Sequence, residues 1–291
     1  MKKLNAIVFG GSGFIGSHVA DLLSKSNYNV TIYDRVKSNY LRKDQKMIIG
    51  DINDLKKINK ITKNIDVIYH FAGIADIYEA NENPLLAVEK NILGTVCLLE
   101  SAVKNNVKRF IFASSIYVFS EQGGIYRTTK QSCELLIENY NKNHNLNFTN
   151  LRFGSLYGPR ANKFNFINKM IHQALTKKQM IRDGDGNDIR NYINVIDAAK
   201  YCLEATKTKY KNKVVLILGS EKVTIKKILN LIKSKINNNI QIEYTGVRDF
   251  AHYRTTPYNF KIRKPSKISI KDEITLSAGI DNAIKEIKQK K

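Results

Sequence analysis

A tyrosine and a lysine four positions apart, Tyr126 and Lys130 in the run IYRTTK, have the types and spacing to remove a proton from a substrate. On a helix that spacing puts both side chains on one face. A phenol ionises near ~10 when unperturbed, and an adjacent ammonium stabilises the phenolate, so the pair can act as a base near neutral pH. The preceding apolar run, RFIFASS, ends in Ser114 and Ser115. The Ser115 hydroxyl can hydrogen-bond the same substrate oxygen, and Lys130 can also hold a ribose hydroxyl. A solvated Tyr–Lys pair on any amphipathic helix has this spacing too. Position gives it meaning: it follows a strand, at the carboxyl edge where doubly wound sheets bind ligands.

A second constellation lies near the amino end. Gly10, Gly11, Gly13 and Gly16 follow the apolar run NAIVFG and open the amphipathic stretch FIGSHVADLLSKS. Both Gly11-x-Gly13-x-x-Gly16 and Gly10-x-x-Gly13-x-x-Gly16 let a backbone turn tightly and bring a pyrophosphate onto a helix amino terminus. Asp34 ends the next strand-like run, NVTIYD. A carboxylate there can accept both hydroxyls of an adenosine ribose, which favours NAD; Arg35 is the neighbour that a 2′-phosphate would engage instead. Asp51 and Ile52, after MIIG, can meet the adenine, while Asp51 reads equally well as a helix cap.

These groups need a frame, and the chain alternates accordingly. NAIVFG, NVTIYD, MIIGD, DVIYHFAG and RFIFASS read as strands, separated by helical patterns such as PLLAVEKNILGTVCLLESAVKNN, with Pro84 at its start. FTNLRFGSLYG reads as one further strand after the Tyr126 helix. The fold class expected is α/β, a Rossmann-type doubly wound parallel sheet with a smaller α/β substrate-binding cap. Residues 1–155 plus 190–220 are assigned to the cofactor domain, and 156–189 plus 221–291 to the cap.

Composition narrows the function classes. With 291 residues, 43% hydrophobic, the chain can bury a real core, and disorder is excluded. No apolar run approaches the ~18–20 residues of a membrane span, so no membrane partner is expected. The amino end has two lysines and apolar residues, but glycines break the run and a small-residue cleavage site is lacking, so it is not read as a signal peptide. Cys97, Cys133 and Cys202 are far apart with no metal-ligand spacing, which suits buried thiols in a reducing, cytoplasmic setting; no metal is expected. The net charge of +22 is mostly lysine scattered among asparagines. Nucleic-acid binders concentrate such charge in a stripe interleaved with arginine or aromatics, so a solvated surface is expected and no nucleic-acid partner. The final IKEIKQKK reads as a helix end whose lysines suit the helix dipole.

GGSGFIG, YHFAGIA, NILGTVCLLESA, FASSIYVF, YRTTK, LRFGSLYGPR and RNYINVIDAA, in this order, resemble the extended short-chain dehydrogenases/reductases. More narrowly, the chain resembles the NAD-dependent epimerase/dehydratase family acting on nucleotide sugars, over nearly its whole length. The resemblance implies Tyr126 as base, Lys130 as its partner and Ser115 as assisting hydroxyl. It implies NAD as cofactor, held by Gly10, Gly13, Phe14, Ile15, Gly16, Asp34, Asp51, Ile52 and Ala72 together with Tyr126 and Lys130. Ser115, Ser155 and Arg190 would contact a nucleotide-diphosphate sugar, Arg190 through its diphosphate, although a structural ion pair with Asp188 or Asp197 would also explain that arginine. Asn91 would be structural. A homodimer through the helices of residues 85–105 and 126–144 is a further implication. Epimerisation through a 4-keto sugar is the activity expected first, net dehydrogenation or ketoreduction second. A dinucleotide sensor without turnover would have no need of Tyr126 and Lys130.

Three departures stand out. Only a short segment containing FSEQGG lies between Ser115 and Tyr126, where the family has a much longer loop. Ser155 stands where an asparagine is common. Ile116 and Tyr117 stand where sugar 4,6-dehydratases carry Asp and Glu, so loss of water from the sugar is not expected, Glu121 being the one nearby substitute acid.

Overall fold

Parallel strands buried on both faces are largely apolar, and RFIFASS carries an apolar centre, Phe110–Ala113, in a strand, Arg109–Ser115, of which every residue is buried. In the computed structural model, which describes residues 3–162 and 164–260, it lies near the middle of a seven-stranded sheet. The elements in chain order are β1 (Leu4–Phe9), α1 (Phe14–Lys25), β2 (Tyr28–Asp34), β3 (Gln45–Ile49), α2 (Leu55–Ile61), β4 (Val67–His70), α3 (Ile77–Glu82), α4 (Pro84–Ala87), α5 (Gly94–Lys104) and β5 (Arg109–Ser115). They continue with α6 (Gly124–His144), β6 (Phe148–Phe153), β7 (Ser155–Tyr157), α7 (Phe166–Lys177), β8 (Gln179–Arg182), β9 (Ile189–Asn194), α8 (Val195–Glu204), β10 (Lys213–Ile217), β11 (Lys222–Thr224), α9 (Ile225–Ile236) and β12 (Gln241–Tyr244).

The large sheet runs β10-β6-β5-β4-β1-β2-β3, all parallel, so the walk along the sheet reverses at β1. Alternation along β1 divides the core: Ala6 and Val8 pack with Val19, Leu23, Ala198 and Cys202 on one face, Ile7 and Phe9 with Leu98, Phe110, Phe112 and Ile137 on the other. Each fully buried aromatic or aliphatic side chain contributes roughly 1.5–3 kcal/mol.

Three features differ from the pattern read in the sequence. FTNLRFGSLYG is two strands, because at Gly154 the chain leaves the large sheet. A Cβ there would lie 2.7 Å from Leu218 Cδ2 and 3.0 Å from the Asn191 carbonyl oxygen. β7 instead joins a three-stranded sheet, β11-β9-β7. The helical stretch from Pro84 contains a π-helical turn, Val88–Leu93, between α4 and α5. Between β4 and Pro84 a further helix forms, α3, capped by Asp76, whose carboxylate accepts the Tyr78 and Glu79 N–H groups. Of residues 190–220, β10 returns to the large sheet and α8 packs against α1, while β9 belongs to the small sheet. A separate apolar cluster of Met170, Met180, Leu229 and Ile240 holds α7, α9 and the β8–β12 pair together. The part of the expected cap in 261–291, with the terminal helix, lies outside the described residues.

Candidate active site

The reversal at β1 opens a crevice at the carboxyl ends of β1 and β4, and the glycine loop lines it. Gly10 has φ +78° and its N–H donates to the Tyr33 carbonyl at 2.9 Å. A Cβ on Gly10 would lie 2.5 Å from the Ala72 nitrogen, and one on Gly16 would lie 2.2 Å from the Gly10 carbonyl oxygen. Gly10 and Gly16 therefore leave no room for a side chain, and loop, β4 exit and helix start meet backbone to backbone. Phe14 and Ile15 occupy the first turn of α1, both half-buried.

Asp34 closes β2 beside this loop. One of its oxygens accepts the Ser12 N–H at 3.0 Å and the other the Val36 N–H at 3.3 Å, which fixes the carboxylate towards the crevice, while Arg35 is exposed. Asp51 does not cap α2; Asp54 does, accepting the Lys57 N–H. Asp51 lies at the crevice rim with both oxygens on the Lys90 ammonium, at 2.9 and 3.1 Å, and that hydrogen bond holds its carboxyl below the usual carboxylate range. Ile52 is buried under Gly94, where a Cβ would collide with it.

Across the crevice stand the residues from β5 and α6. Lys130 is buried, its ammonium donating to the Ala113 carbonyl at 2.9 Å and lying 4.8 Å from the Phe112 ring centre and 5.8 Å from that of Tyr126. Burial pulls the Lys130 ammonium below its ordinary value. Burial likewise pushes the Tyr126 phenol up to about 12, with a hydrogen bond from Ser115 acting in the opposite direction. Ser115, Tyr126 and Lys130 thus form one cluster.

Two buried networks hold this cluster, one through Asn91 and one through Glu134, which the motif reading did not single out. Asn91, in the π-helical turn, accepts the Ile74 N–H at 2.7 Å and donates to the Ile74 carbonyl and the Thr129 hydroxyl, so the segment after β4 is pinned to α6. This is the structural role expected for Asn91. One turn beyond Lys130, the buried Glu134 accepts from the Ser114 hydroxyl and from Arg152 Nε at 2.9 Å, tying α6 to β5 and β6.

Ser155 and Arg190, the residues expected to meet the substrate, contact a strap, residues 249–258. Arg190, buried on β9, donates to the Tyr253 carbonyl, sits 4.1 Å over the Tyr253 ring centre and is 3.5 Å from an Asp188 oxygen. The ion pair is with Asp188. Ser155 and Thr256 hydrogen-bond the Tyr253 side chain. The Tyr253 ring centre is 4.7 Å from that of Tyr117, which in turn is 6.2 Å from that of Tyr126. A row of rings therefore joins the Tyr126 cluster to Arg190. Tyr78, Tyr117, His252 and Tyr253 were not singled out as site residues from the sequence. Tyr117 drew notice only as a departure after Ser115, and HYRTTPY, a run of aromatic and polar residues, is the signal for His252 and Tyr253.

Chemically, the arrangement can serve redox chemistry on an alcohol: a tight backbone loop at the switch point, a carboxylate beside it, and a phenol with hydroxyl and ammonium neighbours. The loop, too tight for any side chain at Gly10 or Gly16, fits NAD.

Comparison with known proteins agrees. The profile of the NAD dependent epimerase/dehydratase family matches residues 6–217. A Methanocaldococcus jannaschii protein, provisionally named a UDP-glucose 4-epimerase, is 29% identical across 97% of this chain and 98% of its own. Among solved structures, a UDP-N-acetylglucosamine 4-epimerase of Methanobrevibacter ruminantium, in complex with UDP-N-acetylmuramic acid, superposes with a TM-score of 0.82 at 27% identity, covering 89% of this chain and 90% of that one. A Thermotoga maritima UDP-glucose 4-epimerase with UDP-glucose gives 0.81 at 26% identity, covering 88% and 90%. With the glycine crevice, the Ser–Tyr–Lys cluster and a matching profile over most of its length, the chain belongs to the NAD-dependent epimerase/dehydratase family and is an NAD-dependent enzyme of the extended short-chain dehydrogenase type.

Proposed function

We propose that the protein interconverts a nucleotide-diphosphate sugar and its 4-epimer through a transient 4-keto sugar. The observation that carries this reading is the convergence of Ser115, Tyr126 and Lys130 beside the glycine crevice. NAD, when bound, supplies the hydride acceptor and a positively charged ring that favours the Tyr126 phenolate. In this reading Gly10, Gly13, Phe14, Ile15 and Gly16 cradle its pyrophosphate, Asp34 takes the adenosine ribose hydroxyls, Asp51, Ile52 and Ala72 line the adenine side, and Lys130 holds the nicotinamide ribose. In this reading residues 1–155 with 190–220 serve the cofactor, and 156–189 with 221–260, the described part of the expected cap, serve the sugar.

The phenolic oxygen of Tyr126 accepts the proton of the sugar 4-hydroxyl as the carbon-bound hydrogen leaves, and returns it when hydride comes back to the other face. The Ser115 hydroxyl, already bonded to Tyr126, orients the same oxygen. Arg190 presents a planar guanidinium to the diphosphate, exchanging the Tyr253 carbonyl for phosphate oxygens. Ser155 contacts the sugar from the start of β7.

Exposed Leu85, Leu93 and Leu135, on the helical stretch from Pro84 and on α6, support a homodimer through those helices. The three buried free cysteines support a cytoplasmic setting, and among the described residues no helix is long and apolar enough to cross a membrane.

The test is incubation of the NAD-loaded protein with UDP-glucose and UDP-N-acetylglucosamine. A 4-epimer of unchanged mass is expected. A product lighter by two hydrogens would replace epimerisation by net dehydrogenation, and a product lighter by one water would overturn the expectation drawn from Ile116 and Tyr117.

A further inference from the structure

Tyr117 is linked to more than its two neighbouring rings. Its hydroxyl is hydrogen-bonded to His252 Nδ1, and His252 Nε2 lies 3.7 Å from an Asp249 oxygen. That same oxygen accepts the Tyr78 hydroxyl at 2.6 Å, and Asp249 also accepts the Ala251 N–H at 3.0 Å. Carboxylate, imidazole and hydroxyl are thus in series, the imidazole hydrogen-bonded to the hydroxyl and within ion-pairing reach of the carboxylate, whose charge would stabilise a proton passed to the histidine. Burial holds the His252 imidazole below its ordinary value and the Tyr117 phenol well above its own.

The series also stands in a telling place. In the function proposed above, the sugar must span from the Tyr126 hydroxyl to a diphosphate on Arg190. The row Tyr126, Tyr117, Tyr253, Arg190 marks that span, with Tyr117 as its second member. No step of the 4-epimerisation uses the Tyr117 hydroxyl, and this half-buried series joins Asp249 and His252 of the strap to the segment after β5.

We propose that Tyr117, backed by His252 and Asp249, is a second proton-transfer group, which exchanges the hydrogen on a carbon next to the ketone of the 4-keto sugar. The inference rests on the epimerase reading, because the ketone is what makes that carbon acidic. The Tyr117 hydroxyl proton moves to His252 Nδ1, and the phenolic oxygen takes the proton from C3 or C5. The C–H electron pair becomes the carbon–carbon double bond of an enolate, whose negative charge sits on the ketone oxygen. Once the proton held by Tyr117 has exchanged with solvent, Tyr117 returns one to the same carbon, which restores the ketone, and the His252 proton goes back to Tyr117. Nothing is oxidised or reduced, and no leaving group departs. Tyr117 is the group that would touch the sugar; His252 and Asp249 are positioning residues.

The full-length, NAD-loaded protein is incubated in deuterium oxide with UDP-glucose, UDP-N-acetylglucosamine and UDP-glucuronate. Hydride transfer alone leaves carbon-bound hydrogens unexchanged with solvent, so a product carrying carbon-bound deuterium at C3 or C5 is the expected result. Tyr117→Phe should cut deuterium gained per turnover by ~100-fold, the scale of general acid–base catalysis, and His252→Asn should cut it in the same direction. Turnover to the 4-epimer with no carbon-bound deuterium overturns the relay and leaves the epimerase reading standing. No 4-keto sugar and no epimer from any of the three sugars overturns the epimerase reading. A measurement independent of turnover completes the test: the Nδ1 resonance of His252 should shift in Tyr117→Phe, and an unchanged resonance overturns the relay.

Discussion

The cofactor crevice and the substrate-side strap are built by different means. Around the crevice, positions come from backbone: Gly10 against Ala72, Gly16 against Gly10, and Asp34 held by two N–H groups, with a buried strand and helix carrying Ser115, Tyr126 and Lys130. Over the substrate side, backbone bonds tie the strap to Gly123 and Ile189, and side chains on distant segments add Tyr78 to Asp249, Tyr117 to His252, Arg190 to Tyr253 and Tyr258 to Asn191. A backbone-built site resists single side-chain changes outside its contacts, whereas the side-chain contacts of the strap can be yielded to a ligand while its backbone bonds hold. That is the division of labour a tightly held cofactor and an exchanging sugar require.

The contrast can be broken most forcefully at Glu134. Replacing it by Leu leaves Arg152 buried without its carboxylate, so a loss of roughly 3–5 kcal/mol is expected in urea unfolding. Asp249→Asn, on the strap, should cost well under half of that. Equal losses would erase the distinction between the two regions.

Next in size is Tyr126→Phe, which keeps the ring and removes the proton acceptor. Turnover should fall by ~100-fold or more while NAD binding, read by titration, survives. The pH profile sharpens the assignment. With the phenol raised to about 12, the ionised fraction grows as pH rises through the neutral and alkaline range, so kcat/KM of the native protein should climb with pH. A flat profile would separate Tyr126 from the rate.

On the strap side, Arg190→Met removes the guanidinium that Tyr253 and Asp188 hold. KM for the nucleotide sugar should rise ~10–100-fold, the value of hydrogen bonds to a charged group, with little change in NAD affinity. A loss confined to NAD binding would put Arg190 in the wrong region. The smallest effect is expected from Asp34→Ala: about a tenfold weakening of NAD, and relaxed discrimination against the 2′-phosphorylated cofactor, in parallel titrations. Tighter binding of the phosphorylated form by the native protein would refute the role of Asp34.

Much of the crevice was legible because its determinants are local. Glycines after an apolar run, an acid at the end of the next run, and a Tyr–Lys pair one turn apart are each read within a few residues. Asp51 shows the limit even there. The cap is Asp54, a choice made by where α2 begins, and Lys90, distant in sequence, takes Asp51 instead. FTNLRFGSLYG read as one strand because its pattern continues across Gly154; which sheet each half joins is decided by Leu218 and Asn191, which crowd that glycine.

By itself, the amino-acid sequence determined the doubly wound parallel sheet, the glycine crevice and the Ser115–Tyr126–Lys130 cluster, since periodicity and short-range spacing specify elements and what lies on their faces. Only the tertiary structure decided that Arg190 pairs with Asp188 under Tyr253, that Glu134 and Asn91 clamp α6, and that Asp249, His252 and Tyr117 line up in series. Those contacts join residues far apart in the chain, and no local pattern records which side chains will meet once the layers have packed.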